Sequence, residues 1–122
     1  MLNGHTVLIV EAEFLVALDI QTMLESLSAG ALLFARSPHE AHACSQQWPS
    51  IDLAIVELGD DYHTTTALLR GLHEAGAALI VTTADSTMQQ GHPDFPDAPV
   101  IVKPMLEEDF RRAIGAAVDQ RT

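Results

Sequence analysis

Short apolar runs alternate with longer segments of helical periodicity along this chain, and the alternation limits the possible folds more than any other feature. Apolar residues occupy positions 7–10, 53–56, 77–81 and 100–102. Short apolar runs bounded by turn residues are typical of buried strands. Strands separated by helices favour a parallel sheet, because each helix returns the chain, by a right-handed crossover, to the end of the sheet at which the previous strand began. The sequence therefore predicts an α/β fold in which helices cover a parallel sheet.

The whole chain divides into strands and helices with turn residues between them. Strands are expected at residues 5–10, 31–35, 51–57, 77–81 and 100–102, and helices at residues 14–27, 38–47, 63–75 and 107–120. Ser37 and Glu40 match a capping box around Pro38 at the start of the second helix. The prolines within residues 93–99 argue against a long helix between the last two strands.

The first helix is expected to bury one apolar face against the sheet. A small-residue turn at residues 28–30 ends this helix. Its apolar residues predict a stripe made of Phe14, Leu15, Leu18, Met23, Leu24 and Leu27.

Length and composition favour one domain in a reducing compartment. The 122 residues, of which 48% are hydrophobic, suit a single domain over residues 1–122 with one core. No apolar run approaches the length of a membrane span, and the first residues lack the basic start and apolar stretch of a signal peptide. Cys44 is the only cysteine, which excludes an internal disulfide. We therefore expect a cytoplasmic protein.

The net charge of −11, from 17 acidic and 6 basic residues, limits the kinds of partner. Non-specific nucleic-acid binding needs lysine and arginine side chains to neutralise phosphates. Anionic membranes also attract cationic rather than acidic proteins. We therefore expect neither a nucleic acid nor a membrane as partner, whereas a protein partner with basic groups is compatible with the charge.

Polar side chains with complementary chemistry follow the predicted strands at their carboxyl ends. Glu11 and Glu13 follow the first strand, Glu57 ends the third, and a pair of threonines at 82–83 follows the fourth. Lys103, the only lysine, follows the fifth. The carboxyl ends of parallel strands meet in one crevice, where open α/β sheets bind ligands. The sequence therefore predicts a site made of carboxylates, a hydroxyl and one ammonium group.

Together these segments resemble the receiver domain of two-component response regulators. The matching segments are residues 7–13, residues 52–57, the step Thr83-Ala84 and residues 102–104. The resemblance covers essentially the whole chain and implies a doubly wound, five-stranded parallel sheet of the flavodoxin-like type, which is a three-layer sandwich. It also implies a role in phosphorelay signalling, because such domains take a phosphoryl group from a histidine kinase onto an aspartate at the end of the third strand.

The resemblance assigns roles to several positions of this sequence. Glu11 falls on the first position of the acidic pair, and Glu57 falls on the position of the phospho-acceptor. Thr83 best matches the hydroxyl that contacts the phosphoryl group, with Thr82 as the alternative if the register shifts by one residue. Lys103 matches the lysine that contacts the phosphate.

Three positions depart from the pattern of the family. Ala12 falls on the second position of the acidic pair, which ligates Mg²⁺ directly in the family, and an alanine side chain cannot ligate. Glu57 replaces the acceptor aspartate and is one methylene longer. Val100 falls where the family usually carries a switching aromatic residue. Because Mg²⁺ requires near-octahedral oxygen ligands, we expect no cofactor, or at most weak Mg²⁺ binding at Glu11 and Glu57.

We expect the carboxylate of Glu57 to pair with the ammonium group of Lys103, and two interpretations of this pair stay open. In the first, the longer side chain places a negative charge where a phosphoryl group would lie and mimics the phosphorylated state. A carboxylate has less charge and fewer acceptor atoms than a phosphate. In the second interpretation, which we favour, the pair is only structural.

The resemblance and the departures together imply a degenerate, atypical receiver that is not an enzyme. It would bind a protein partner, a kinase or an output protein, independently of aspartate phosphorylation. One alternative is a receiver that still accepts a phosphoryl group at Glu57 or at a nearby aspartate, Asp60 or Asp61. Another is a flavodoxin-like binder of a small ligand, which is disfavoured because no glycine-rich phosphate loop follows the first strand. A homodimer remains open.

Overall fold

A single parallel sheet organises the chain. The computed structural model describes residues 2–59 and 61–121, and the side chains of residues 2–59 and 61–118. The sheet contains β1 (Val7–Val10), β2 (Leu32–Ala35), β3 (Leu53–Glu57), β4 (Ala78–Thr83) and β5 (Val100–Val102). The strands lie in the order β2-β1-β3-β4-β5, and every neighbouring pair is parallel. This is the doubly wound, flavodoxin-like order, so the predicted fold class is confirmed.

Helices cover both faces of the sheet and make it a three-layer sandwich. The helices are α1 (Phe14–Ser26), α2 (Pro38–Ala43), α3 (Tyr62–Glu74) and α4 (Glu107–Arg121). Side chains of α1 and α4 pack on one face, against residues such as Ile9, Ile55 and Ile80. Side chains of α2 and α3 pack on the other face. The strands β1, β3 and β4 are buried on both faces, which explains why they read as continuous apolar runs.

The predicted apolar stripe of the first helix is wrong in its first half. Phe14 and Leu15 are 69% and 73% exposed, and Leu18 is 39% exposed, whereas Ile20 and Leu24 are buried. Successive residues of an α-helix turn by about 100°, which places Phe14, Leu15 and Leu18 on the side opposite Ile20 and Leu24. The helix is therefore apolar on two sides, and only one of them packs on the sheet.

The second helix ends earlier than expected. Ser37 accepts a hydrogen bond from the Glu40 N–H at 3.2 Å, as a helix cap requires. The helix stops at Ala43 rather than at residue 47, and the chain continues as a 3₁₀ turn over Ser45–Ser50. Pro49 lies in this turn and cannot continue an α-helix, because it has no N–H and its ring clashes with the preceding turn.

The connection between β4 and β5 contains no α-helix, as the prolines predict. It begins with a 3₁₀ turn over Ser86–Gln90 and then runs irregularly to β5. The preceding strand is longer than predicted, because its backbone pairing continues beyond Val81. The Thr82 carbonyl accepts a hydrogen bond from the Leu58 N–H at 2.8 Å, and the Thr83 carbonyl accepts one from the Lys103 N–H at 2.8 Å.

The helices of the described residues are short. None of them combines the length and the apolar composition that a membrane crossing requires.

Gly71→Ala tests the contact between α3 and the Trp48 ring. A methyl group at position 71 would lie 2.5 Å from Trp48 Cζ3, so the ring would have to move. Alanine stabilises a helix by about 1 kcal/mol relative to glycine, whereas overpacking costs about 1–3 kcal/mol. We expect the free energy of unfolding to fall by about 1 kcal/mol in urea titrations followed by Trp48 fluorescence. Gly59→Ala, at a position with open space around it, is the control, and a more stable Gly71→Ala protein would contradict the packing.

Candidate functional site

Lys103 joins two carboxylates at the carboxyl edge of the sheet. Its Nζ lies 2.6 Å from Glu57 Oε2 and 2.8 Å from Glu11 Oε1. Glu11 follows β1, Glu57 ends β3, and Lys103 follows β5, so the lysine side chain reaches across the end of β4. The side chain of Glu11 is 1% exposed, and those of Lys103 and Glu57 are 16% and 22% exposed. The pairing of Glu57 with Lys103 that the strand ends predict is therefore present, and Glu11 joins it.

The register of the parallel strands places these three side chains on one face. Val10 pairs with Val56, and Glu57 pairs with Thr82. Side chains alternate between the two faces of a strand, so Glu11 and Glu57 continue the face that carries the isoleucines of β1 and β3. Lys103 occupies the corresponding position after β5. We name Glu11, Glu57 and Lys103 the carboxylate–lysine cluster.

The threonine predicted to contact a phosphoryl group is used locally. Thr83 Oγ1 accepts a hydrogen bond from the Asp85 N–H at 3.0 Å. Strand alternation puts Thr83 on the face opposite Glu57, whereas Thr82 shares the register and the face of Glu57. Both threonines are buried. Among the described side chains, neither hydroxyl is hydrogen-bonded to a member of the carboxylate–lysine cluster, so the roles assigned to Thr83 and Thr82 stay predictions.

Backbone N–H groups donate hydrogen bonds to the second oxygen of each carboxylate. The Ala12 N–H donates to Glu57 Oε1 at 3.2 Å, and the Glu13 N–H donates to Glu11 Oε2 at 3.0 Å. Each glutamate therefore has one oxygen beside Lys103 and the other on the backbone after β1. Sequence reasoning missed these two donors because every residue except proline carries a backbone N–H, so no residue type marks them.

Burial and the shared ammonium group shift the pKa values of the cluster in different directions. Burial raises the pKa of Glu11, and Lys103 and the Glu13 N–H offset this only in part. Burial alone would also raise the pKa of Glu57, but hydrogen bonds from Lys103 and Ala12 lower it. Burial alone would lower the pKa of Lys103, but the two carboxylates raise it. Lys103 and Glu57 are therefore the firmly charged members.

Glu11 Oε1 is the least satisfied atom of the cluster. It is buried, and the described residues offer it no hydrogen bond of good geometry. Its close partner is Lys103 Nζ at 2.8 Å, which attracts it as an ion pair. Because an unpaired buried charge costs free energy, removal of this ammonium group would leave Glu11 in an unfavourable environment.

The residues present do not fit the Mg²⁺ ion that receiver domains use. Lys103 already forms ion pairs with one carboxylate oxygen of Glu11 and one of Glu57. The methyl group of Ala12 offers no oxygen. No group of three His, Cys, Asp or Glu residues suited to a metal occurs in the described part of the chain. Mg²⁺ requires near-octahedral oxygen ligands, and the cluster does not present them.

The remaining predicted positions lie apart from the cluster or are engaged elsewhere. Val100 is partly buried and packs against the core on the α2–α3 side. Asp61 caps α3, since its carboxylate accepts hydrogen bonds from the Thr64 N–H at 3.1 Å and the Thr64 hydroxyl at 2.6 Å. Asp60, the other aspartate considered as an acceptor, lies outside the described residues.

Lys103→Met tests how much the ammonium group stabilises the cluster. Breaking a buried ion pair costs about 3–5 kcal/mol, and the partial exposure of Lys103 favours the lower end. We expect the free energy of unfolding, measured in urea, to fall by about 3 kcal/mol at neutral pH. In the folded state the pKa of Glu57 is lowered from its ordinary value of 4.5. The stability that the pair of Glu57 with Lys103 contributes is therefore fully present above pH 4.5 and is lost as the pH falls through the folded pKa. The effect of Lys103→Met should therefore shrink in acid.

Arg111→Met is the matched control for this experiment. Arg111 pairs with Glu107 at 3.1 Å on the exposed surface of α4, where loss of an ion pair changes stability by less than about 0.5 kcal/mol. An equal loss of stability by Lys103→Met at neutral and acidic pH would mean that packing of the lysine stem, not its charge, supports the site.

Solved structures with the same fold are numerous, although no family model and no curated protein matches the sequence. The signal receiver domain of a modulated diguanylate cyclase from Desulfovibrio desulfuricans G20 is 27% identical, with a TM-score of 0.73 over 95% of this chain and 94% of that chain. A response regulator from Thermotoga maritima is 18% identical, with a TM-score of 0.78 over 95% of this chain and 98% of that chain. A response regulator receiver domain protein from Clostridium thermocellum is 22% identical, with a TM-score of 0.71 over 96% of each chain. From end to end, the chain has the fold of response regulator receiver domains.

Proposed function

We propose that this chain is a signalling domain of the receiver type that binds a protein partner and whose output is independent of aspartate phosphorylation. The observation that supports the proposal is the engagement of Lys103 by Glu11 and Glu57, at 2.8 Å and 2.6 Å. The groups that would neutralise and accept a phosphoryl group are thus bound to one another. In this proposal the chain is a cytoplasmic signalling module, not an enzyme.

The chemistry of phosphoryl transfer supports the same conclusion. That reaction depends on positioning and on neutralisation of charge by a metal ion. Here a fixed ammonium group balances the carboxylates, and both oxygens of Glu57 already accept hydrogen bonds, from Lys103 and Ala12. A carboxylate has one negative charge and two acceptor oxygens, fewer than a phosphate. We therefore propose that the pair of Glu57 and Lys103 is structural and that Mg²⁺ binds weakly or not at all.

The exposed apolar side of α1 is the surface that we propose for the protein partner. Phe14 and Leu15 are 69% and 73% exposed there. Phe34 of β2, which is 51% exposed, lies with Phe14 on a groove of about 510 Å³. Large exposed apolar patches mark interaction surfaces. The outer side of α4 instead carries ion pairs that are already internally satisfied, such as Arg111 with Glu107.

The proposed partner is a different protein, a kinase or an output protein. Two copies of this chain would each bring a net charge of −11 to an interface, and like net charges oppose association. The same charge opposes binding to nucleic acids and to anionic membranes. A homodimer remains the alternative.

Exposure to a small acyl phosphate with Mg²⁺ tests independence from phosphorylation. We expect the intact mass of the protein to stay unchanged, because Ala12 supplies no ligand and Glu57 is paired with Lys103. A stoichiometric gain of one phosphoryl group that Glu57→Gln abolishes would refute the proposal. A gain that survives Glu57→Gln would instead point to an aspartate, with Asp61→Asn as the next variant.

The double variant Ala12→Asp, Glu57→Asp is the positive control. It restores the carboxylate pattern of the family in the same fold. Labelling of this variant, together with no labelling of the natural sequence, would attribute the loss of phosphorylation to these two positions.

Phe14→Ser with Leu15→Ser tests the α1 surface. A central apolar anchor at an interface contributes at least about 1 kcal/mol to binding, so loss of two anchors should weaken partner capture about tenfold or more. The measurement compares proteins captured from native cell extract by the parent and by the variant. Leu106→Ser, at an exposed leucine outside α1, is the matched control. If Glu57→Gln abolished capture while the α1 variant did not, Glu57 would act as a mimic of the phosphorylated state.

A further inference from the structure

His92 is the only one of the six histidines with a buried side chain in the described structure. The residue is 1% exposed, whereas the other five are partly or fully exposed. It lies in the irregular connection between β4 and β5, in the stretch that we name the 91–99 segment. No feature of the carboxylate–lysine cluster explains a buried imidazole at this place.

The hydrogen bonds of His92 require a neutral ring. Nδ1 accepts a hydrogen bond from the Asp94 N–H at 3.1 Å, and a nitrogen that accepts carries no proton. Nε2 lies 3.4 Å from Thr66 Oγ1, which can accept the proton that Nε2 carries in this tautomer. One bond therefore holds the 91–99 segment together, and the other connects it to α3.

Two aromatic rings contact the same imidazole. Tyr62 of α3 stacks on the imidazole, with ring centres 5.2 Å apart and planes within 8°. Phe95, two residues beyond the proline that follows His92, has its ring centre 5.3 Å from the imidazole and belongs to the buried core. A backbone hydrogen bond from the Phe95 N–H to the His92 carbonyl, at 3.1 Å, closes the turn.

The groups around His92 offer little to stabilise a positive charge. Thr66 and Tyr62 on α3 are uncharged partners, and the carboxylate of Asp94 provides the single favourable Coulomb interaction resolved for the ring. The other titratable or charged side chains that contact this group of rings are His63 against Tyr62, and His73 and Arg70 against Phe95. Burial lowers the pKa of His92 and exceeds the effect of Asp94, which raises it.

We propose that His92 is a pH-sensitive switch that holds the 91–99 segment on α3 when neutral and releases it when protonated. A proton on Nδ1 would point at the Asp94 N–H, so that two donors would face each other. The hydrogen bond at that place must then break, and the charged ring must leave its position beside Tyr62 and Phe95 to reach water. The turn of residues 92–95 depends on both contacts and opens with them.

Release would change one defined surface. A cavity of about 590 Å³ lies under the segment, lined by residues 94–98 together with His73, Leu79 and Ala117. Phe95 is 8% exposed in the closed state. Opening of the turn exposes the Phe95 ring and widens this cavity, which lies at the amino end of β4, whereas the carboxylate–lysine cluster lies at the carboxyl ends of the strands. The switch therefore acts on a surface that the partner-binding side of α1 does not include.

The direction of the pH effect follows from the lowered pKa. The ordinary pKa of histidine is 6.5, and the folded state binds the proton less readily than an open state does. The closed segment is therefore fully stable above that pH and loses stability as the pH falls below it, until the folded pKa is passed. Each pH unit in that interval shifts the balance between closed and open states about tenfold.

Amide hydrogen exchange in the intact chain tests the proposal. After correction for the intrinsic pH dependence of exchange, protection of the Asp94 and Phe95 amides should fall about tenfold per pH unit below the ordinary histidine pKa. Core amides such as Ile55 and Ile80 should keep their protection. His92→Asn should remove the pH dependence, because an asparagine oxygen can accept from the N–H two residues on and does not titrate. His63→Asn is the matched control and should retain the pH dependence.

Nitrogen chemical shifts of the imidazole give a second measurement that needs no variant. They should report an unprotonated Nδ1 in His92 at neutral pH and a titration midpoint below the ordinary histidine pKa of 6.5. The switch is refuted if Nδ1 carries the proton, if the segment stays protected while His92 titrates, or if His92→Asn loses protection in acid as the parent does.

Discussion

The shared ammonium group of Lys103 determines what the carboxyl edge of this sheet can do. Parallel pairing in register brings Glu11 and Glu57 to the same face, and the lysine stem crosses the end of β4 to reach both. Without this cation, two carboxylates, one of them almost fully buried, would repel each other in a poorly solvated place. The cluster therefore supports the sheet edge, and it consists of residues to which the sequence resemblance assigns the chemistry of receiver domains.

The departures from the receiver pattern are physically consistent with one another. An alanine at position 12 removes an oxygen that a metal ion needs, so the charge of the remaining glutamates has to be balanced by the protein. The longer side chain of Glu57 reaches both Lys103 and the Ala12 N–H. Two acidic groups and one lysine thus form an internally paired cluster at this edge of the sheet.

Other predicted positions of the site take part in local contacts. Thr83 is bonded to the turn that follows it, and Val100 has no ring that could rotate. The connection before β5 has no α-helix, and His92 holds it closed through contacts with α3. The two features for which we propose roles, the apolar side of α1 and the segment around His92, belong to elements that pack on different faces of the sheet.

Local sequence determined the architecture of this protein, since apolar runs and helix-ending residues act over a few positions. The alternation of strands and helices predicted a parallel sheet, and the prolines of residues 93–99 predicted the missing helix before β5. The pairing of Glu57 with Lys103 was predictable because parallel strands bring their carboxyl ends together, whereas the doubly wound order was implied only by the resemblance to receiver domains. Tertiary structure decided the details that depend on orientation: which side of α1 faces solvent, that α2 stops before Trp48, that Thr83 points away from the cluster, and that Glu11 shares Lys103. Spacing along a chain does not specify these, because packing against neighbours selects the face of a helix and the direction of a side chain.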